Sequence, residues 1–440
     1  MTKSNDTMPL FWVPTSYFTM AVAYMTLTSV SAIMFKNMGM DNATAAEYAS
    51  YLLLAYTIKP LFAPFVEMYR TKKFFVVASQ FVLSAGFALV GFSLSVPNFV
   101  IVVMVVFWVM SFIGAIQDIA ADGVYVTTLK ASEQAKYCGV QSLSWSIGPI
   151  VATGLMVSLS GYLHDYFGHD AAKTGRDWID AWRVVFFIFS GMTLLMALYH
   201  WKVLPEGAKA QHTPDSPTDA VRTLLKTFIT FFQKKDIWLL IAFAFLYRLS
   251  QGLLDKIGPF FMMDSVETGG LALSNMQLGA INGTYGFIAF LAGSLIGGAF
   301  VARRGLKSTL FILCCAINIP NITYLVLSIY LPEQYWLIAG VVGVEKFFFG
   351  FGAVGHMIYM MQQLAPGPFK TAHYAFGTGL MGLCMMLTGL VSGHIQVAMG
   401  YTEYFIFVLF ATIPSFLICW FAPFNIDPEH EEESLQQSSV

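Results

Sequence analysis

The sequence predicts an all-α membrane protein of about twelve spanning helices, arranged as two six-helix halves. Three observations carry that prediction. Hydrophobic residues make up 57% of the 440 positions and charged residues only 11%, and the mean hydropathy is +0.64, values foreign to a soluble chain of this length. A span needs about 20 mainly apolar residues, and apolar runs of that order recur along the chain with short polar breaks. The longest polar stretch falls near the middle, with six runs before it and six after.

The net charge of −2 carries no nucleic-acid signal, and no nucleic-acid partner is expected. The five cysteines, Cys138, Cys314, Cys315, Cys384 and Cys419, lie in or at the ends of apolar runs without metal or disulfide spacing. They read as reduced packing residues. No metal or cofactor is expected. A short polar leader runs straight into a long apolar segment, which reads as a retained first helix rather than a cleaved signal peptide.

Taken in order, the apolar runs place helix 1 at 10–35, helix 2 at 44–68, helix 3 at 74–94, helix 4 at 98–124, helix 5 at 137–163 and helix 6 at 181–204. Helix 7 follows at 237–263, helix 8 at 274–302, helix 9 at 308–330, helix 10 at 334–363, helix 11 at 371–399 and helix 12 at 401–421. The chain thus divides into a first half, 1–204, a linker, 205–236, a second half, 237–424, and an acidic tail, 425–440. Equivalent turns in the two halves support a repeat. Arg70-Thr71-Lys72-Lys73 follows helix 2, and Arg303-Arg304-Gly305-Leu306-Lys307 follows helix 8. Parallel halves about an axis normal to the membrane are the major facilitator architecture.

Lysines and arginines set the orientation. Sixteen of the 24 fall in segments on the side of the two termini. Four (Lys36, Lys173, Arg176 and Arg183) fall in the opposite loops. Both termini are therefore expected in the cytoplasm. In the linker, Ser216-Pro217-Thr218-Asp219 has the form of a helix start. Val221, Leu224, Leu225, Phe228 and Phe232 then recur at helical spacing beside Arg222 and Lys226. This is an amphipathic helix suited to the inner membrane surface.

Ionisable residues inside spans mark functional sites, provided each has a partner or a wet path. Helix 4 ends on Gln117-Asp118-Ile119-Ala120-Ala121-Asp122, with two acids one turn apart on one face. Helix 7 carries Arg248, Gln251 and Asp255 on one face, with Lys256 alongside; helix 10 carries Glu345 and Lys346, and helix 2 carries Lys59 before Pro60. These residues predict a polar cavity between the halves. In it Arg248 binds an anionic or hydroxyl-rich solute through its planar donor fork. Gln251, Asn282, Tyr285, Gln141 and Tyr24 are the candidate hydrogen-bond partners, and Asp118, Asp255 or Glu345 is the candidate proton carrier. The bland alternative is permanent pairing of Asp255 or Glu345 with Lys256 or Lys346. Asp122, Lys59, Arg70 and Arg304 are candidate gating residues, Asp122 as a latch to the basic turn at 70–73. His356 and His373 read as packing or interface residues in preference to proton shuttles, and His164, His169 and His394 as residues without a site. Trp12, Trp178, Trp182, Trp201, Trp238, Trp336 and Trp420 fall near span ends, as belt residues do. Trp108 and Trp145 lie deeper and read as packing, with sugar stacking on Trp145 as the alternative.

Tyr56-Thr57-Ile58-Lys59-Pro60-Leu61-Phe62-Ala63-Pro64, Gln117-Asp118 with Asp122, Leu246-Tyr247-Arg248, Pro259-Phe260-Phe261 and Gly279-Ala280-Ile281-Asn282-Gly283-Thr284-Tyr285-Gly286 together resemble the AmpG muropeptide permeases, in order and spacing. The resemblance spans all twelve helices. It implies a major facilitator fold and proton-coupled import, across a bacterial inner membrane, of peptidoglycan fragments bearing N-acetylglucosamine and anhydro-N-acetylmuramic acid. Many members of that family have two further helices, for which this chain has no room. Related branches carry acetyl-CoA or other solutes and share the helix 4 acids, so another saccharide, an organic anion or an acyl-CoA-like cargo stays open. No Walker A, H-E-x-x-H or G-x-S-x-G pattern is present, so an enzyme is not expected. The expectation is a monomeric secondary transporter whose partners are a small-molecule solute, protons and the lipid bilayer.

Overall fold

A computed structural model describes residues 8–68, 70–168, 175–207, 216–367 and 369–426. All regular elements among them are helical. Eleven helices among these residues are long and apolar enough to cross a membrane. They are helix 1 (Pro9–Asn37), helix 3 (Lys72–Ser93), helix 4 (Phe99–Thr128), helix 5 (Gly139–Tyr166), helix 6 (Arg176–Val203), helix 7 (Ile237–Met263), helix 8 (Asn275–Arg304), helix 9 (Leu306–Tyr330), helix 10 (Tyr335–Leu364), helix 11 (Ala372–Met399) and helix 12 (Tyr401–Trp420).

Helix 2 differs from the continuous span expected for it. It is built of three pieces, Asn42–Tyr51, Leu54–Thr57 and Lys59–Met68. Pro60 has no N–H to offer the preceding turn, and Ile58, with φ −92° and ψ 3°, takes up the bend. Its start is set by Asp41, whose carboxylate accepts from the Thr44 N–H at 3.0 Å.

The Tyr199 hydroxyl at the end of helix 6 donates to the Phe11 carbonyl at the start of helix 1. Asn425, after helix 12, donates to Asp236, before helix 7. The start of helix 1 and the end of helix 12 lie on one face of the bundle, here the terminal face. The linker helix, Pro217–Phe232, lies on that face between the third piece of helix 2 and the start of helix 11. Its N-terminus is capped by the Ser216 hydroxyl, which accepts from the Asp219 N–H at 3.1 Å. Val221, Leu225, Ile229 and Phe232 form an exposed apolar stripe along it.

The halves meet where helix 2 packs on helix 11 and helix 5 on helix 8, two crossings that the internal repeat makes equivalent. Small residues let the backbones approach. Gly389 lies on Ser50, and Gly393 on the Asn42 carbonyl. At the other crossing, a Cβ on Gly283 would stand 2.0 Å from the Gly154 nitrogen. Both glycines sit in π-helical segments, Ile150–Met156 and Gly279–Tyr285, that face each other.

The tryptophans divide in a way the sequence does not show. Trp201, Trp238, Trp336 and Trp420 are exposed, as belt residues should be, whereas Trp12, Trp178 and Trp182 are buried in the core. Trp178 is stacked on His164 with ring centres 4.0 Å apart, and Trp182 donates its indole N–H to Asn37. Proximity to a span end therefore misassigns these three: Trp12 packs edge-on against Tyr125 at 6.5 Å, Trp178 against His164, and Trp182 alone among them has an indole hydrogen bond.

Candidate functional site

The site begins with a break in helix 7. The α-helical pattern stops at Leu246 and resumes at Leu249. Arg248, between them, has φ −111° and ψ 20°, close to the bridge region where functional residues often sit. Carbonyls released by such a break must find donors inside a membrane protein. The Ala244 carbonyl takes a ring nitrogen of His356 at 3.1 Å, and the Leu246 carbonyl takes the Ser415 hydroxyl at 2.8 Å. His356 is fully buried in this role.

The break directs the Arg248 guanidinium towards helices 10 and 11. Its central carbon lies 4.9 Å from the ring centre of Phe349, within cation–π range. One terminal nitrogen is 3.4 Å from the Met381 sulfur. No carboxylate lies within 4 Å of it among the described residues, and its Nε is buried without a hydrogen-bond partner.

One turn further on, Gln251 is fully buried. Its amide donates to Asp255 Oδ1 at 3.0 Å and to Glu345 Oε1 at 3.1 Å, while its own Oε1 has no partner. Lys346 completes a ring around the same two acids. Its ammonium stands 3.0 Å from Asp255 and 3.2 Å from Glu345. Glu345 is 1% exposed and Asp255 33%, so the ring has one sealed end and one open end. Two carboxylates share one ammonium, which leaves one negative charge in excess. The permanent pairing weighed from the sequence therefore falls on Lys346 alone. Lys256 instead donates to the Thr28 carbonyl on helix 1 at 3.3 Å, at a π-helical segment, Thr26–Val30.

Across from helix 7, the first half contributes a second ion pair. Asp118 on helix 4 is held by Lys59 on helix 2. Tyr24 stands between the two groups, within Coulombic reach of Arg248, Lys59, Asp118 and Asp255. Its ring meets Tyr56 edge-on at 5.0 Å and lies 6.4 Å from Trp145. Asn282 sits on the helix 8 π-segment, with a buried Oδ1 that has no partner. Gly286, one turn on, lies against the Lys346 stem. Gln141 is half-buried on helix 5.

Four predicted site residues lie elsewhere. Tyr285 is 45% exposed, its ring turned to the exposed Trp336. Asp122 accepts from the Tyr17 hydroxyl on helix 1 at 2.7 Å and, among the described residues, makes no ion pair with the basic turn. Arg70 and Arg304 are exposed and lie over Phe74 and Phe300 respectively, with no carboxylate within 4 Å among the described residues. His373 contacts Thr230 and the Thr227 carbonyl of the linker helix. Sequence reasoning missed Phe349 and Met381 as the seat of Arg248. It named Lys346 as one of two possible partners for the acids, and the structure brings Lys346 to both of them.

The family model of the Major Facilitator Superfamily matches residues 15–393. The chain belongs to that superfamily. It is 23% identical over 370 residues to the anhydromuropeptide permease of Escherichia coli strain K12, covering 83% of this chain and 70% of that one. A Rickettsia bellii protein named as the transporter AmpG 1 is 21% identical over 383 residues, covering 84% and 87%. Among solved structures, the nucleoside transporter NupG superposes with a TM-score of 0.68 at 15% identity, over 93% of this chain and 97% of its own. A D-xylose–proton symporter gives 0.66 at 13%, over 96% and 98%. This superfamily member is thus an AmpG-like, multi-pass membrane transporter, and its relatives are permeases rather than enzymes.

Proposed function

We propose that this transporter imports an amino-sugar fragment of peptidoglycan by proton symport, across a bacterial inner membrane, as a monomer with its terminal face in the cytoplasm. The observation that carries the reading is the state of Arg248. A guanidinium without a carboxylate partner, placed between the halves at a broken helix, is a seat for an anionic or carbonyl oxygen of a cargo. The unpartnered Nε of Arg248, Oε1 of Gln251 and Oδ1 of Asn282 ask for a ligand with both acceptors and donors. Acetamides, hydroxyls and carboxylates supply them. Tyr24, Tyr56 and Trp145 offer aromatic faces on which the apolar side of a sugar ring can lie. The relatives named for anhydromuropeptide transport support the same cargo class.

For coupling, the ring of Gln251, Asp255, Glu345 and Lys346 is the favoured proton site. Its excess negative charge in a largely dry setting is relieved by one proton. The excess of lysine and arginine on the terminal face supports the orientation.

Uptake into proteoliposomes under an inward proton gradient tests both parts. GlcNAc–anhydro-MurNAc and its peptide-bearing forms should accumulate, and a protonophore should abolish the accumulation. Uptake of unrelated disaccharides or nucleosides alone would overturn the cargo, and accumulation indifferent to the protonophore would overturn the coupling.

A further inference from the structure

We propose that Asp264 is the hub of a latch that holds the face opposite the termini closed, and that its ion pair with Lys36 breaks each time the halves part there. Asp264 is the first residue beyond helix 7. Its carboxylate gathers three groups from three other elements. Lys36, near the end of helix 1, stands 2.6 Å from Oδ1. Oδ2 accepts from the Asn42 amide at the start of helix 2, at 3.0 Å, and from the Tyr401 hydroxyl at the start of helix 12, at 2.6 Å. Lys36 and Asn42 belong to the first half, Asp264 and Tyr401 to the second. Asn42 reinforces the junction by donating to Gln396 on helix 11 at 2.8 Å.

A second hub lies next to this one and is uncharged. Asn37 and Asn275 exchange amide hydrogen bonds of 3.2 and 2.7 Å across the same boundary. Both are buried, and Asn275 also donates to Ser160. An amide pair of this kind fixes register between the halves. The charged hub is better suited to release. Lys36 and Asp264 are 12% and 16% exposed, so water already reaches the edge of the pair, and opening the face hydrates both ions. A contact made once per cycle must hold and still be broken, and a partly wetted ion pair has that intermediate strength.

Nothing in this latch depends on the cargo, so its test is independent of the proposed function. Ser50, fully buried on helix 2 where Gly389 of helix 11 covers it, is changed to cysteine. Its modification by a membrane-impermeant maleimide added from the latch side then reports opening. The parent with its five native cysteines sets the background. In the S50C protein labelling should be slow. Asp264→Asn and Lys36→Met should each speed it roughly tenfold, as loss of a partly buried charge partner implies. Labelling of both single variants at the S50C rate would overturn the proposal. Should Asp264→Asn fail to fold, Lys36→Met interrogates the same ion pair from the first half, and unchanged labelling there is equally decisive.

Discussion

Arg248 is the side chain whose loss should cost transport the most. Removing the guanidinium leaves Met381 facing an empty seat; the Lys346 ammonium, 5.5 Å from the same Phe349 ring, is engaged by two acids and cannot supply the lost fork. Arg248→Ala should raise the cargo KM by roughly 10- to 100-fold, the value of one charge-assisted fork, with unchanged membrane abundance. Arg248→Lys should recover only part of this, because an ammonium cannot make two parallel bonds. Concentration-dependent uptake decides the matter, and a wild-type KM in the alanine variant removes Arg248 from the site. Glu345→Gln separates binding from coupling. It keeps an acceptor for Gln251 and leaves Lys346 with Asp255. Accumulation against a gradient should vanish while cargo counterflow survives; retained proton-driven accumulation would clear Glu345 of the role. These charges were legible in the sequence because an ionisable residue in an apolar run has few innocent explanations. Their partners were not. Tyr17 and Asp122 lie on separate helices, and nothing in either run announces the other. Lys36 and Asp264 escaped notice because charges at span ends are ordinary.

At the scale of elements, two features set the geometry: the break in helix 7 and the crossing of helices 5 and 8. The run at 237–263 reads as one unbroken span, since no proline or glycine lies at residues 246–248. The break becomes visible only with the donors that stabilise it, His356 and Ser415, brought in from helices 10 and 12. The broken form of helix 2 was closer to the surface, because Pro60 was in view. Helix 8 offers a direct test of the crossing. Gly283 faces the Gly154 backbone, whereas Gly298, farther along the same helix, has open space where a Cβ would go. Gly283→Leu should force helices 5 and 8 apart, cost about 1–3 kcal/mol or more by overpacking, and abolish uptake. Gly298→Leu should leave both melting and uptake near wild type. Thermal melting in detergent beside the uptake assay reads both variants, and equal tolerance at the two positions would contradict the crossing.

For the whole molecule, the question is what holds two six-helix halves together in a solvent as apolar as their own surfaces. Lipid removes the hydrophobic drive between helices, so close packing of small residues and polar bonds must do it. The described interface has both: the glycine crossings of helix 2 on 11 and of 5 on 8, and polar bonds gathered on the face opposite the termini, from Lys36, Asn37 and Asn42 to Asp264, Asn275 and Gln396. The linker helix adds contacts to both halves on the terminal face. Two halves were legible from the repeat and the central polar stretch, but the side on which they are fastened was not, because that depends on which residues face each other across the boundary. The fastening predicts that the covalent connection is dispensable for assembly. Residues 1–207 and 216–440, co-expressed as separate chains that keep the linker helix with the second half, should co-purify from membranes when only one carries a tag. Adding Asn42→Ala and Asn275→Ala to the pair should cut recovery of the untagged half, because each buried amide then leaves partners unsatisfied, at about 1–3 kcal/mol apiece. Halves that separate although each folds would mean that the linker, and not this interface, holds the transporter together.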